Sequence, residues 1–276
     1  MKHVKYALLL LAFGIAAVGC TRSEKSNTQE TLNVVATTGM IADAASNIGG
    51  EFVEVTALMG PGVDPHLYRA SEGDVSRISG ADIVLFNGLH LEAKLSEVLE
   101  RLEGRVHTVG VANLLDESRL IRAEIAGSTH DPHVWFDVAL WLDVVENVYV
   151  ALRDTDPDRA ANYEESYAAY RNELVELDRF VKERVSELEP EQRVLVTAHD
   201  AFGYFGRAYG FEVLGLQGIS TVSEAGASDL RSLADLIASR KIRAIFVETS
   251  VSRKNIEALQ KAVASRGFEV AIGGEL

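Results

Sequence analysis

Three of the seven histidines share a setting that suits ligation of a cation. His66 stands in Gly60-Pro61-Gly62-Val63-Asp64-Pro65-His66, His133 in Asp131-Pro132-His133-Val134-Trp135, and His199 in Thr197-Ala198-His199-Asp200. Each falls just past an apolar strand-like run or in a loop that leads to a helix. Neutral imidazole is the commonest protein ligand for transition metals, and the proline before His66 and His133 restricts the backbone that presents each ring. A lone histidine in a loop is more often solvated or a helix cap, so the weight lies on the repeated Asp-Pro-His and on all three rings meeting. His3 lies in the leader, and His90 and His107 lack a ligand-like context and read as structural. His130, three residues before His133 in a polar loop, is a lesser candidate.

Residues so far apart can meet only if a framework carries their loops to one place. From Leu32 onward, short β-rich runs alternate with longer amphipathic stretches, the rhythm of βα units around a parallel sheet. In a first set the candidate strands are residues 32–36, 53–58, 82–86 and 106–109, with helices after Gly39, Ser71 and Gly88. In a second set they are residues 193–197, 212–216, 244–248 and 269–272. Val34-Val35-Ala36-Thr37-Thr38 leads into a helix and then Gly50, as Val194-Leu195-Val196-Thr197-Ala198 leads into a helix and then Gly210. This weak internal repeat indicates two copies of one plan. In open α/β sheets the ligand crevice lies beyond the carboxyl ends of the strands, where loops of two facing lobes can converge.

Between the sets, residues 157–188 read as one long helix, with Asp156 as N-cap, Pro157 in the first helical position and Pro190 as the stop. Tyr163, Tyr167, Tyr170, Leu174, Leu177, Val181 and Leu188 keep three-to-four spacing, so one apolar stripe can pack along a rod of roughly 45 Å. The same spacing suits a coiled-coil seam, but βα units on both sides favour an intramolecular backbone. The predicted fold is therefore α/β: two pseudo-symmetric parallel-sheet lobes, residues 32–155 and 190–276, joined by one rigid helix over residues 156–189.

The first twenty residues are of another kind. Lys2 and Lys5 precede an apolar run from Tyr6 to Val18 that meets Gly19 and Cys20, a secretion signal too short to span a bilayer comfortably. Cys20 is the one cysteine of the chain, so no intrachain disulfide can form. Ala17-Val18-Gly19-Cys20 resembles a bacterial lipobox, with Ala17 where leucine is usual; it marks Cys20 for lipidation and residues 21–31 as a polar tether. A net charge of −14 argues against nucleic acid as partner and is compatible with cations.

The blocks Leu58-Met59-Gly60-Pro61-Gly62-Val63-Asp64-Pro65-His66-Leu67-Tyr68, Asp131-Pro132-His133-Val134-Trp135-Phe136-Asp137 and Thr197-Ala198-His199-Asp200-Ala201-Phe202-Gly203-Tyr204-Phe205, in that order, resemble the cluster A-I metal receptors of bacterial ABC importers. The resemblance runs from about Leu32 to Leu276. It implies a non-enzymatic monomer that is lipid-anchored and faces the periplasm or cell exterior, and that passes one divalent ion to an ABC permease and its ATPase subunit. By the same resemblance His66 and His133 are ligands from the first lobe and His199 from the second. In relatives the fourth ligand is an Asp a few residues past a Gly-Gly-Glu-Leu stretch. This chain ends at Gly273-Gly274-Glu275-Leu276, which places that Asp beyond Leu276 and marks the chain as a fragment of a longer product.

Three nitrogens and a carboxylate suit zinc, or manganese if the carboxylate binds through both oxygens. Zinc receptors of the family usually carry a His-rich acidic loop, which residues 114–129 lack, so manganese is favoured, zinc is its close rival and iron is third. Two alternatives belong to other classes. A zinc hydrolase would use three histidines and an open position for water, but no His-Glu-x-x-His, nucleophile elbow or Gly-rich phosphate loop is present. A surface adhesin is the other.

Overall fold

The structure, a computed structural model, describes residues 31–276 except 103, 126 and 127. The signal segment with Cys20, and the tether up to residue 30, lie outside the described residues. Among the described residues no helix is long and apolar enough to cross a membrane.

The first lobe runs β1 (Leu32–Ala36), α1 (Gly39–Gly49), β2 (Val53–Ala57), α2 (Glu72–Ser79), β3 (Ile83–Phe86), α3 (Ser96–Leu102), β4 (His107–Gly110), β5 (Arg122–Ile125), β6 (Ser128–His130) and α4 (Val138–Thr155). β1 to β4 form a parallel sheet in the order β2-β1-β3-β4. Val34, Val35 and Ala36 of β1 and Ile83, Val84 and Leu85 of β3 are at most 1% exposed, as central parallel strands covered on both faces require. Ile41, Ala44, Ala45 and Ile48 give α1 one buried stripe. Ser71 and Asp74 start α2 with a reciprocal capping box. The antiparallel β5–β6 hairpin and α4 stand where the sequence pattern marks no element.

The long helix is present as α5 (Ala160–Ser186), entered through a 3-10 turn at Pro157–Arg159. Its 27 residues span about 40 Å. Asp156 sits at its start but caps no backbone amide; its Oδ2 accepts from Arg159 at 2.5 Å and from the Tyr163 hydroxyl at 2.9 Å instead. The buried stripe also differs from the expected one. Tyr163, Tyr167, Tyr170, Leu174 and Val181 do join the core, whereas Leu177 and Leu188 are 44% and 38% exposed. The stripe continues instead through Asp178, whose carboxylate accepts from Tyr209, and Val185, which keep the helical period from Leu174.

The second lobe runs β7 (Val194–His199), α6 (Gly203–Tyr209), β8 (Glu212–Gln217), α7 (Ala227–Arg240), β9 (Ala244–Val247), α8 (Arg253–Ala264) and β10 (Ala271–Glu275). β7 pairs parallel with β8, β9 pairs parallel with β10, and β7 lies against β9. The spatial order β8-β7-β9-β10 thus follows the β2-β1-β3-β4 order of the first lobe, but as two two-stranded sheets whose inner strands adjoin rather than one continuous ladder. Val196, Leu216, Leu233, Ile237, Ile245 and Leu259 build its own core. Helix α6 is the exception: Tyr204 and Tyr209 belong to the first-lobe core, beside Val138 of α4 and Leu174 of α5.

Candidate metal centre

Each of the three histidines sits where a strand gives way to a loop. His66 lies in the loop between β2 and α2, His133 in the turn between β6 and α4, and His199 is the last residue of β7. All three are nearly sealed, at 3%, 2% and 5% exposure. Their ring centroids are 5.2 Å apart for His66–His133, 5.2 Å for His133–His199 and 6.0 Å for His66–His199. The Nε2 atoms converge, with His66 to His133 at 3.2 Å and His133 to His199 at 3.4 Å. Among the described residues this is the one group of three or more His, Cys, Asp or Glu side chains placed to hold a metal ion. An ion with bonds of roughly 2.0–2.1 Å in a tetrahedron needs donor-to-donor edges of about 3.3 Å, which these separations match.

The neighbours fix which nitrogen faces inward. His133 presses Nδ1 against Asp131 Oδ1 at 2.7 Å, and the same oxygen accepts the His133 backbone amide at 2.9 Å. His199 Nδ1 is in close contact with Glu248 Oε2, while its amide donates to Glu248 Oε1 at 2.9 Å. An Nδ1–H held by a carboxylate leaves the Nε2 lone pair free to ligate. Asp64 plays the matching backbone part for His66, accepting its amide at 2.9 Å. The repeated Asp-Pro-His is therefore an Asx turn in both places, with the Asp, rather than the Pro alone, aiming the histidine. Asp64 also reaches across the cleft, where its Oδ2 accepts from Thr221 at 2.5 Å. Burial, followed by the neighbouring His133, His199 and His90, pushes the His66 imidazole down to about 3, so this ring is neutral near pH 7.

The rings line a cavity of about 330 Å³, shared with Thr38, Met59, Trp135, Phe202, Glu248 and Leu276 among others. The other described histidines stay outside it. His90 is exposed in a left-handed turn, His107 contacts Thr155 at 3.1 Å, and His130 contacts Thr129 at 3.1 Å and lies 3.6 Å from Glu117. Sequence reasoning did not single out Asp64, Asp131, Thr221 and Glu248. Two signals were available: the first residue of the repeated motif, and a glutamate closing the apolar run of β9, an unusual place for a charge.

Two α/β lobes joined by a long helix, with buried imidazoles converging from both, define a two-lobed binding protein with a candidate metal site. The family described as zinc-uptake complex component A periplasmic (ZnuA) matches residues 34–274, and the chain belongs to it. The chain is 52% identical over 243 residues to the zinc-binding protein TroA of Treponema pallidum, covering 88% of this chain and 78% of that protein. It is 44% identical over 270 residues to the manganese-binding lipoprotein MntA of Bacillus subtilis, covering 98% and 88%. The solved structure of the periplasmic zinc-binding protein TroA from T. pallidum superposes with a TM-score of 0.86 at 51% identity, covering 90% of this chain and 88% of that one. The family is one of uptake components, which removes the hydrolase alternative.

Proposed function

We propose that this chain is the receptor of a metal-importing ABC transporter and that His66, His133 and His199 hold one divalent ion, manganese or zinc, as its cargo. The observation that carries the reading is the pair of Nε2 edges, 3.2 and 3.4 Å, close to those of a four-coordinate ion. Residues 32–155 and 190–276 are the lobes that supply the ligands, and residues 156–189 the linker that limits their movement. The fourth position belongs to the Asp expected after Leu276. In support, Leu276 lines the cavity, its amide donating to Val247 and its carbonyl accepting from Thr249. The receptor works as a monomer, anchored to the membrane through lipid on Cys20, and delivers its ion to a permease with an ATPase subunit.

Metal analysis of the purified protein tests this directly. About one ion per chain is expected, and His66→Ala, His133→Ala and His199→Ala should each lose it. Competition between manganese and zinc on one preparation assigns the cargo. A wild type that takes up neither ion, or alanine variants that bind as the wild type does, would sink the reading.

A further inference from the structure

Helix α6 follows His199 in the second lobe, yet its polar side chains are spent on the first. The Tyr204 hydroxyl accepts from the Ile121 amide at 3.1 Å and donates to the Asp131 carbonyl at 2.8 Å. Asp131 and Ile121 also pair directly, Asp131 N to Ile121 O at 2.9 Å, at the base of the β5–β6 hairpin. The hydroxyl therefore stands where the reciprocal ladder bond would be, and a second-lobe side chain completes a first-lobe turn. Tyr204 is fully buried. One residue earlier, a Cβ on Gly203 would lie 3.0 Å from Asp131 Oδ2, so glycine is what lets the helix start come this close. Arg207 continues the attachment, with Nη1 on the Arg119 carbonyl at 2.6 Å and Nη2 3.3 Å from Asp137.

The residue that Tyr204 grips is the one that aims His133. Asp131 receives Tyr204 on its carbonyl and holds both the amide and Nδ1 of His133 on Oδ1. Tyr204 in turn stands five positions after His199. We infer that Tyr204 is a positioning residue that fixes the separation of His133 and His199 across the lobe interface, so that these two donors are set before any ion arrives. This rests on the reading of the imidazoles as ligands. Tyr204 touches no ion itself and acts only through Asp131. Removing its hydroxyl leaves a part-buried amide and a buried carbonyl short of a partner, and the segment can then relax away from α6.

The test compares Tyr204→Phe with Tyr163→Phe, which removes another buried hydroxyl, bonded to Asp156 at 2.9 Å, away from the cavity. Two measurements are made on protein shown by circular dichroism to be folded: titration with cobalt(II), followed by its visible absorption, and the imidazole N–H signals of the metal-free protein by NMR. Tyr204→Phe should bind cobalt about tenfold more weakly with an altered absorption band, and the slowly exchanging Nδ1–H of His133 should be lost. Tyr163→Phe should leave both unchanged. Cobalt affinity, band shape and the His133 signal all as in wild type would overturn the inference, as would equal changes in Tyr163→Phe. The NMR arm needs no metal, so it separates the two readings. Wild type that binds no cobalt, while Tyr204→Phe still loses the His133 signal, would retain the positioning role and discard the metal-receptor reading.

Discussion

Among the described residues, each lobe buries one glutamate near the carboxyl ends of its strands, and the two are used differently. Glu92 in the first lobe accepts from Thr37 Oγ1 at 2.6 Å and from the amides of Asn87 and Gly88 at 2.7 and 3.2 Å. Those bonds hold the left-handed turn at Gly88, Leu89 and His90, and Asn87 Nδ2 passes the tie on to the Pro132 carbonyl at 3.1 Å. Burial pushes the Glu92 carboxyl above its usual range, with its hydrogen bonds pulling the other way. Glu248 in the second lobe faces the cavity and spends both oxygens on His199. One carboxylate is scaffold and the other holds a ring that faces the candidate ion. The difference follows the edges they close: in the first lobe Thr37 N continues the ladder to Leu85 O at 2.9 Å, whereas in the second the amide of His199 turns to a side chain.

The comparison can be broken in several ways. The largest effect belongs to a ring itself: His133→Ala should weaken metal binding by more than about 100-fold in calorimetric titration, because it removes the imidazole common to both short Nε2 edges. Glu248→Gln should follow with a loss of about 10–100-fold, since an amide cannot hold the His199 ring as a carboxylate does, with little change in melting temperature. Acid acts through His66. Its folded value, about 3, lies below the 6.5 of an unfolded histidine, so the unfolded chain takes up a proton that the fold refuses. The contribution of this ring is complete above pH 6.5 and is lost as pH falls toward 3, by roughly 1.4 kcal/mol per pH unit, measurable by urea unfolding of metal-free protein. Glu92→Gln should have the smallest effect, costing about 1 kcal/mol because its amide meets a backbone N–H, while metal affinity stays within about threefold. If Glu92→Gln lowered affinity as much as Glu248→Gln, the division of labour between the lobes would be wrong.

The fold was legible where side-chain burial is one-sided or complete. Residues 32–36, predicted as the first strand, are β1 to the residue, and Gly39 and Ser71 mark the starts of α1 and α2. The helix between the lobes was legible from its ends, but its buried face was misjudged at Leu177 and Leu188, because hydropathy cannot show that Asp178 is turned inward by a tyrosine from another element. The three histidines stood out through their strand-end settings. The carboxylates that orient them did not, since Glu248 lies 49 positions beyond His199 and meets it only once the lobe has folded, and Asp131 reads as an ordinary loop residue until its turn closes.

Helix α6 carries a consequence for how the molecule comes apart. Tyr204 and Tyr209 fill the first-lobe core, and the α5 stripe leans on the same cluster. A piece ending before residue 190 would face water with an uncovered apolar wall, and the remaining piece would carry two tyrosines with nothing to bury them. Residues 31–276 are therefore expected to unfold as a single cooperative unit, although sequence order divides them in two.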